Sequence, residues 1–428
     1  VNALDFSAPN FQFQNVVEST QLVEYPTLTG LPRLNSDNVP IEFRIQGTDQ
    51  YIDLDNMKLF VRAKIISPDG VKVEPSSMVP VNNFAYSMWS MVELQLNNRC
   101  ITTRDRGTYP WIAYVHYLTK YPQSYRNHNM SSSLWTTDDA MTMEKHNLPS
   151  PDLPQNEGAK KRSDYVTKGT DGFEVSSTVL FDVFSFGKFI PNNIDVSVKF
   201  YPSSSAFCLI APNDTNYSIK ILSATLFVPK IKFTPPALQK YENLLQNNRF
   251  NYFPLKYSVF SRTIAKDERN VNWTIATSDL GSCRRLFVWM TTQTAFNGSS
   301  NENPLCFKPN NMNSLQVFVN DVSQPLNVPM IYSDTDATKM YTITCSSINE
   351  PEAWTVDVTE FTQAYFLIVI DLTPDQSASS QYCSEKSETS IRVKADFSTN
   401  PEVPLTLFCM SESSQKLQID GSRTVAML

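Results

Sequence analysis

The sequence predicts an all-β protein made of two tandem β domains of one type. Three observations predict it. Strand-like runs with period-two alternation recur along most of the chain, helical periodicity is scarce, and three landmarks of the first half return in the same order in the second. At 428 residues the chain exceeds one ordinary core, since domains run to about 100–200 residues. A hydrophobic content of 41% fills two cores, and 27 prolines against 11 glycines imply stiff loops between short strands.

Taken in order, residues 1–36 read as an irregular arm with apolar hooks at Leu4, Phe6, Phe11 and Phe13. Such an arm packs under its own domain or reaches a neighbour. Strands begin at Val39: Ile41, Phe43 and Ile45 alternate with polar residues, a Gly47-Thr48-Asp49 turn follows, and Met57, Leu59, Val61, Ala63 and Ile65 alternate again. Val92, Leu94 and Leu96 share a face and lead into Asn97-Asn98, a two-residue hairpin turn, because Asn tolerates positive φ. Residues 109–121, YPWIAYVHYLTKY, form one of two helix signals, with Trp111, Val115 and Leu118 on one face. Residues 122–172 are polar, without a dependable strand, and are expected as a long surface loop or tower.

Strand grammar returns in STVLFDVFSF, IDVSVKF and SIKILSATLFVPKIKF. The second helix signal follows: Thr234 as a cap, Pro235 and Pro236 in the first turn, and Ala237, Leu238, Tyr241, Leu244 and Leu245 at helical spacing. This short helix reads as a stiff joint that sets how the domains sit together. Beyond it lie LKYSVFS, CRRLFVWMTT, NSLQVFVND, AYFLIVIDL, SIRVKADF and PLTLFCM, of which LFVWM and YFLIVI suggest strands covered on both faces.

The repeat rests on three pairs. ELQLNN ending at Asn98 matches LQVFVND ending at Asp321, IDVSVKF from Ile194 matches IRVKADF from Ile391, and ATLFV around Thr225 matches LTLFC around Thr406. Their common order carries more weight than any single match. The shrinking offset places longer insertions in the first half.

Chemistry finds little footing. The histidines His116, His128 and His146 have no metal-ligand spacing, and no G-x-S-x-G elbow or glycine-rich phosphate loop occurs. Asp138-Asp139, Asp214, and Asp53 with Asp55 read as loop and turn carboxylates. Lys160-Lys161-Arg162 reads as a solvated loop, and Phe84, Tyr86, Trp89, Phe287 and Trp289 as core aromatics rather than a sugar platform. No catalytic, cofactor-binding or metal-ligating set is expected, and no cofactor.

A net charge of −7 argues against a wholly electrostatic grip on nucleic acid. Cys100, Cys208, Cys283, Cys306, Cys345, Cys383 and Cys409 are odd in number and lack C-x-x-C spacing. That suits buried free thiols in a reducing compartment rather than a disulfide framework. No signal-peptide pattern opens the sequence and no apolar run approaches a membrane span.

Several stretches together resemble a known family. VPIEFRIQGTDQYIDLDNMKLFVRAKI, VPVNNFAYSMWSMVELQLN and TYPWIAYVHYLTKY resemble the major capsid protein of Polinton/Maverick elements and adintovirus-like viruses. So do TAFNGSSNENPLCF, NSLQVFVNDVSQP, VTEFTQAYFLIVIDLTPD and the terminal IDGSRTV. The resemblance covers about 39–121 and 179–428, and Asn320-Asp321 stands where the family has a hairpin glycine.

The resemblance implies a double jelly roll, two eight-stranded sandwiches joined by a helix-containing linker with long surface loops, as in the adenovirus hexon lineage. On that reading residues 1–36 are an N-terminal arm, 37–233 the first jelly roll with 122–172 inserted, 234–249 the linker helix and 250–428 the second jelly roll. It implies a non-enzymatic major capsid protein whose homotrimers form pseudo-hexagonal capsomers of an icosahedral shell. Expected partners are neighbouring capsomers, penton or minor capsid proteins, and enclosed double-stranded DNA bound without sequence specificity. The expected place is the virion, after assembly inside the host cell. The rival readings are a carbohydrate-binding β-sandwich protein and a β-sandwich hydrolase.

Overall fold

The computed structural model describes residues 15–427 apart from 32, 35–38, 71–72, 76, 103–104, 145–155, 182, 185, 213–214, 216, 276–282, 334 and 380–389. Where apolar residues alternate, strands form and pair antiparallel. The first half supplies β1 (Val17–Pro26), β2 (Ile41–Ile45), β3 (Lys58–Ile66), β4 (Trp89–Leu96), β5 (Arg99–Cys100), β6 (Phe173–Thr178), β7 (Val196–Pro202) and β8 (Ser218–Phe233). The second supplies β9 (Leu255–Ile264), β10 (Asn270–Ile275), β11 (Cys283–Thr292), β12 (Met312–Val319), β13 (Val322–Gln324), β14 (Ile368–Asp371), β15 (Ile391–Phe397) and β16 (Leu405–Ser414).

The sheets of roll one run β1-β8-β3-β6 and β2-β7-β4-β5; those of roll two run β9-β16-β11-β14 and β10-β15-β12-β13. Each strand of the first half therefore has its counterpart eight strands later. Both halves follow the jelly-roll order 1-8-3-6 over 2-7-4-5. The fold is a double jelly roll.

Local details follow from residue chemistry. In β8 up to Val228 the buried positions are Ile219 and Ile221, then Ala224, Leu226 and Val228, so the apolar parity switches at Leu222. A bulge between Ile221 and Ser223 absorbs the extra residue and keeps both apolar sets on the core side. The two hairpins match closely. Asn97 and Asn98 have φ of 46° and 63°, Asn320 and Asp321 have 48° and 64°, the type I′ pattern at both turns. Asn97 exchanges hydrogen bonds with Asp195, its N–H donating to the Asp195 carbonyl at 2.9 Å and its Oδ1 accepting from the Asp195 N–H at 2.9 Å. Asn320 makes the same pair of bonds with Ser390, both at 2.9 Å.

The structure corrects the sequence reading in several places. Residues 17–26, inside the expected arm, form β1, paired along β8 from Val17–Phe233 to Pro26–Thr225. The Ile194–Ile391 match is out by two residues: Val196 pairs with Leu96 as Ile391 pairs with Val319. Strand β10, NVNWTI, escaped the sequence reading because Asn and Thr at alternate positions mask a face held by Val271 and Ile275. Within STVLFDVFSF, β6 ends at Thr178, and Val183–Phe184 crosses over to extend the sheet of roll two at β9.

Both helix signals form helices: α1 (Tyr109–Lys120) and the linker helix α3 (Pro235–Asn247). Two more of comparable length arise where no signal was read, α2 (Glu157–Thr167) and α4 (Thr338–Ile348). Thr234 precedes α3 but does not cap it; its hydroxyl donates to the Asn15 carbonyl at 2.9 Å.

Candidate functional site: the seal between the rolls

The most elaborate arrangement of side chains lies where roll one meets roll two. Every residue of α1 except Lys120 is buried. A helix apolar on all sides belongs inside a core, and α1 lies between the rolls. Trp111 packs on Phe207 of roll one at 5.4 Å between ring centroids and on Phe408 of roll two at 5.2 Å, and Phe408 stacks on Trp289 at 5.1 Å and 8°. The covered sheet reads accordingly: β11 and β16 are buried at all but their last residue.

A charged row crosses this apolar seal. Tyr257, Glu412 and Arg285 stand opposite one another on β9, β16 and β11. Glu412 is fully buried; it accepts from the Tyr257 hydroxyl at 3.0 Å and pairs with Lys120 of α1 at 3.1 Å and Arg285 at 3.6 Å. Burial alone would raise the Glu412 pKa, but Lys120 and Arg285 outweigh it and hold the carboxyl below the usual range. Burial lowers Lys120, with Glu412 opposing. His116, one turn back on α1, sits 3.3 Å from the Tyr257 hydroxyl, and burial drives its pKa down to about 3. It is therefore neutral at pH 7. These groups fasten a helix of roll one onto a sheet of roll two.

The segment after α1 continues the seal, which corrects the expectation of an outward polar tower. Trp135 and Met143 are buried, and Asp138 is 3% exposed with its carboxylate 2.9 Å from the Arg162 guanidinium. The Nε–H of Arg162 donates to the Pro80 carbonyl at 2.8 Å. So Asp138 is a core ion-pair partner rather than a solvated carboxylate. In the tribasic run, on α2, only Lys160 and Lys161 face solvent. Across to roll two, Arg126 donates to Thr355 Oγ1 at 3.2 Å, the Asn303 side chain donates to the Met143 carbonyl at 2.8 Å, and Lys308 pairs with Glu144.

The other sequence candidates do not converge. Asp55 accepts from the backbone N–H groups of Phe186 and Gly187 at 3.1 and 2.8 Å, and Asp53 accepts from Asn56, so both hold turns. His128 contacts the Ser124 carbonyl on a short helix, while His146, Asp214 and Cys383 lie outside the described residues. The other six cysteines are free thiols. Phe84, Tyr86, Trp89, Phe287 and Trp289 are core residues, as expected. Among the described residues no group of three His, Cys, Asp or Glu could hold a metal, and no helix is long and apolar enough to cross a membrane. The cavity lined by Arg126, Thr136, Thr355 and Tyr365 holds about 60 Å³, space for a few waters.

The fold is shared with solved structures. A chain of the Sputnik virophage, solved by cryo-EM at 3.5 Å, superposes with a TM-score of 0.66 at 11% identity, covering 100% of this chain and 92% of that one. What they share is the fold. The mavirus major capsid protein gives a TM-score of 0.53 at 10% identity over 100% and 94% of the chains, and the Faustovirus major capsid protein 0.53 at 8% over 95% and 92%. No protein-family model matches the chain. Among curated proteins it is similar to the uncharacterized protein F54H12.2 of Caenorhabditis elegans, 21% identical over 247 residues, 56% of this chain and 54% of that protein. The match thus spans about half the length of that relative.

Proposed function

We propose that this protein is a viral major capsid protein whose homotrimers form pseudo-hexagonal capsomers of an icosahedral shell. The observation that carries the reading is the pair of equivalent eight-stranded rolls, sealed side by side, in a fold that matches virophage and viral capsid chains over nearly their whole length. The physical logic is that six similar sandwiches in a trimer approximate a hexagon, so one chain tiles a large closed surface. Contacts between capsomers can each be weak, because every capsomer makes many at once.

The sequence stretches quoted above, by their resemblance, support a reading as a Polinton/Maverick or adintovirus-like capsid protein. A relative from an animal beside structural neighbours from viruses suits a lineage that includes integrated elements. Neighbouring capsomers and penton or minor capsid proteins are the proposed partners, around double-stranded DNA held without sequence-specific contacts. The role is structural, with no reaction of its own.

Negative-stain microscopy of the purified protein tests the reading. Trimers with a hexagonal outline, or closed particles, are the expected result. Monomers alone at high concentration would overturn it.

A further inference from the structure

Where the linker helix α3 leaves roll one and the chain enters roll two, a groove of about 540 Å³ stays open. Buried Tyr51, Phe233 and Tyr252 line it, together with Phe189 and Leu244, which are 38% and 42% exposed. Apolar side chains that face water together in one concavity mark an interaction surface, unlike single exposed leucines scattered elsewhere.

Two cations share this lining. The Lys188 ammonium donates to the Asn251 carbonyl at 3.0 Å, and the Arg249 guanidinium donates to the Gln418 side-chain oxygen at 3.2 Å. Both acceptors are neutral. Among the described residues no carboxylate pairs with either cation. Glu18 and Glu242, each next in sequence to a lining residue, are held by Lys232 and Arg423 at 2.8 Å.

The groove also offers backbone. Phe250, Asn251 and Tyr252 all line it and form a short strand that pairs on one side only, with Leu417–Ile419. Its other edge has no strand partner among the described residues.

We infer that this groove docks an extended, acidic segment of a partner protein that carries aromatic or leucine side chains. The open strand edge suits a polypeptide, which adds main-chain hydrogen bonds while alternate side chains enter the apolar lining. A lipid chain would leave that edge unused. Lys188 and Arg249 are exposed, so they steer the segment and set its sign, while the aromatic lining supplies the contact area. That the partner is a minor capsid protein rests on the capsomer reading; the chemistry of the groove does not.

Fluorescence anisotropy with the purified full chain tests the inference. The probes are labelled Ser-Phe-Glu-Phe-Glu-Ser and its counterpart Ser-Phe-Lys-Phe-Lys-Ser. The acidic peptide should bind about tenfold or more tightly than the basic one. Lys188→Glu with Arg249→Glu should reverse that order and leave the melting temperature unchanged. A photo-reactive phenylalanine analogue in the acidic peptide should cross-link to residues 188–189 or 241–252. No binding of the acidic peptide, equal binding of both, an order untouched by the double variant, or cross-links elsewhere would overturn the inference. So would flotation of the wild type, but not the double variant, with phosphatidylglycerol vesicles in the absence of peptide binding. Failure of the peptide arm in a protein that forms hexagonal trimers would sink the groove and leave the capsomer reading standing. Selective binding by a protein that stays monomeric would keep the groove and remove the minor capsid partner.

Discussion

At the scale of single residues, the seal between the rolls makes two sharp statements. Glu412 is buried between Lys120 and Arg285, so Glu412→Gln leaves buried Arg285 and partly buried Lys120 without their counter-charge. Breaking a buried pair from one side costs about 3–5 kcal/mol, to be read as a lowered denaturant midpoint. Arg162→Met should cost a similar amount by stranding Asp138, again about 3–5 kcal/mol.

His116 gives the pH dependence. Its folded pKa of about 3 lies below the ordinary value of 6.5, so between those limits the unfolded chain takes up a proton that the folded one refuses. Stability should therefore fall as pH drops below 6.5, at up to about 1.4 kcal/mol per pH unit from this group. Unfolding midpoints of the wild type and His116→Phe at pH 7, 6 and 5 measure it. The variant should show the shallower loss, and equal slopes would refute the assignment.

At the scale of elements, the paired hairpins are the clearest local determinants. Asn97 and Asn320 both hold positive φ and both tie the turn to the start of the neighbouring strand in the sheet, at Asp195 before β7 and Ser390 before β15. Asn97→Ala and Asn320→Ala should each cost about 1–2 kcal/mol from the backbone conformation alone. Replacement by Gly keeps the turn and loses only the side-chain bonds. Thermal melting of the four variants should show matching effects in the two rolls. The strand β1 carries a further consequence: removing residues 1–36 would strip β8 of its partner on that side from Thr225 to Phe233 and bare an unpaired edge. Rapid proteolysis of roll one in that truncation, with roll two resistant, is the expected outcome.

At the scale of the whole molecule, the rolls are held together by α1 and the 122–144 segment more than by the linker. Helix α3 buries only Leu245 fully and otherwise rests Ala237, Leu238 and Tyr241 on the small cluster of Tyr51, Ile231 and Phe233, with Glu242 paired to Arg423 at 2.8 Å. Replacing Thr234–Asn248 by a flexible Gly/Ser chain should therefore leave the roll-to-roll geometry intact in small-angle scattering. Trp111→Ala should loosen it, at a cost of about 3–5 kcal/mol for a large aromatic cavity. The reverse outcome would return the geometric role to the linker.

Period-two alternation is a property of neighbouring residues, so most of the sixteen roll strands, the Asn97-Asn98 hairpin and the tandem repeat were legible in the sequence alone. The alternation in β8 even carried its bulge, as a parity switch at Leu222. What the tertiary structure alone decided was which segments lie inside. Residues 109–144 have the composition of a helix followed by a polar loop, and nothing local tells Asp138 that Arg162 waits for it, or Lys120 that Glu412 does. A polar residue is buried only when a partner from elsewhere neutralises it and a second surface covers it. Here that surface is the sheet of roll two, brought into place by the packing of one roll on the other.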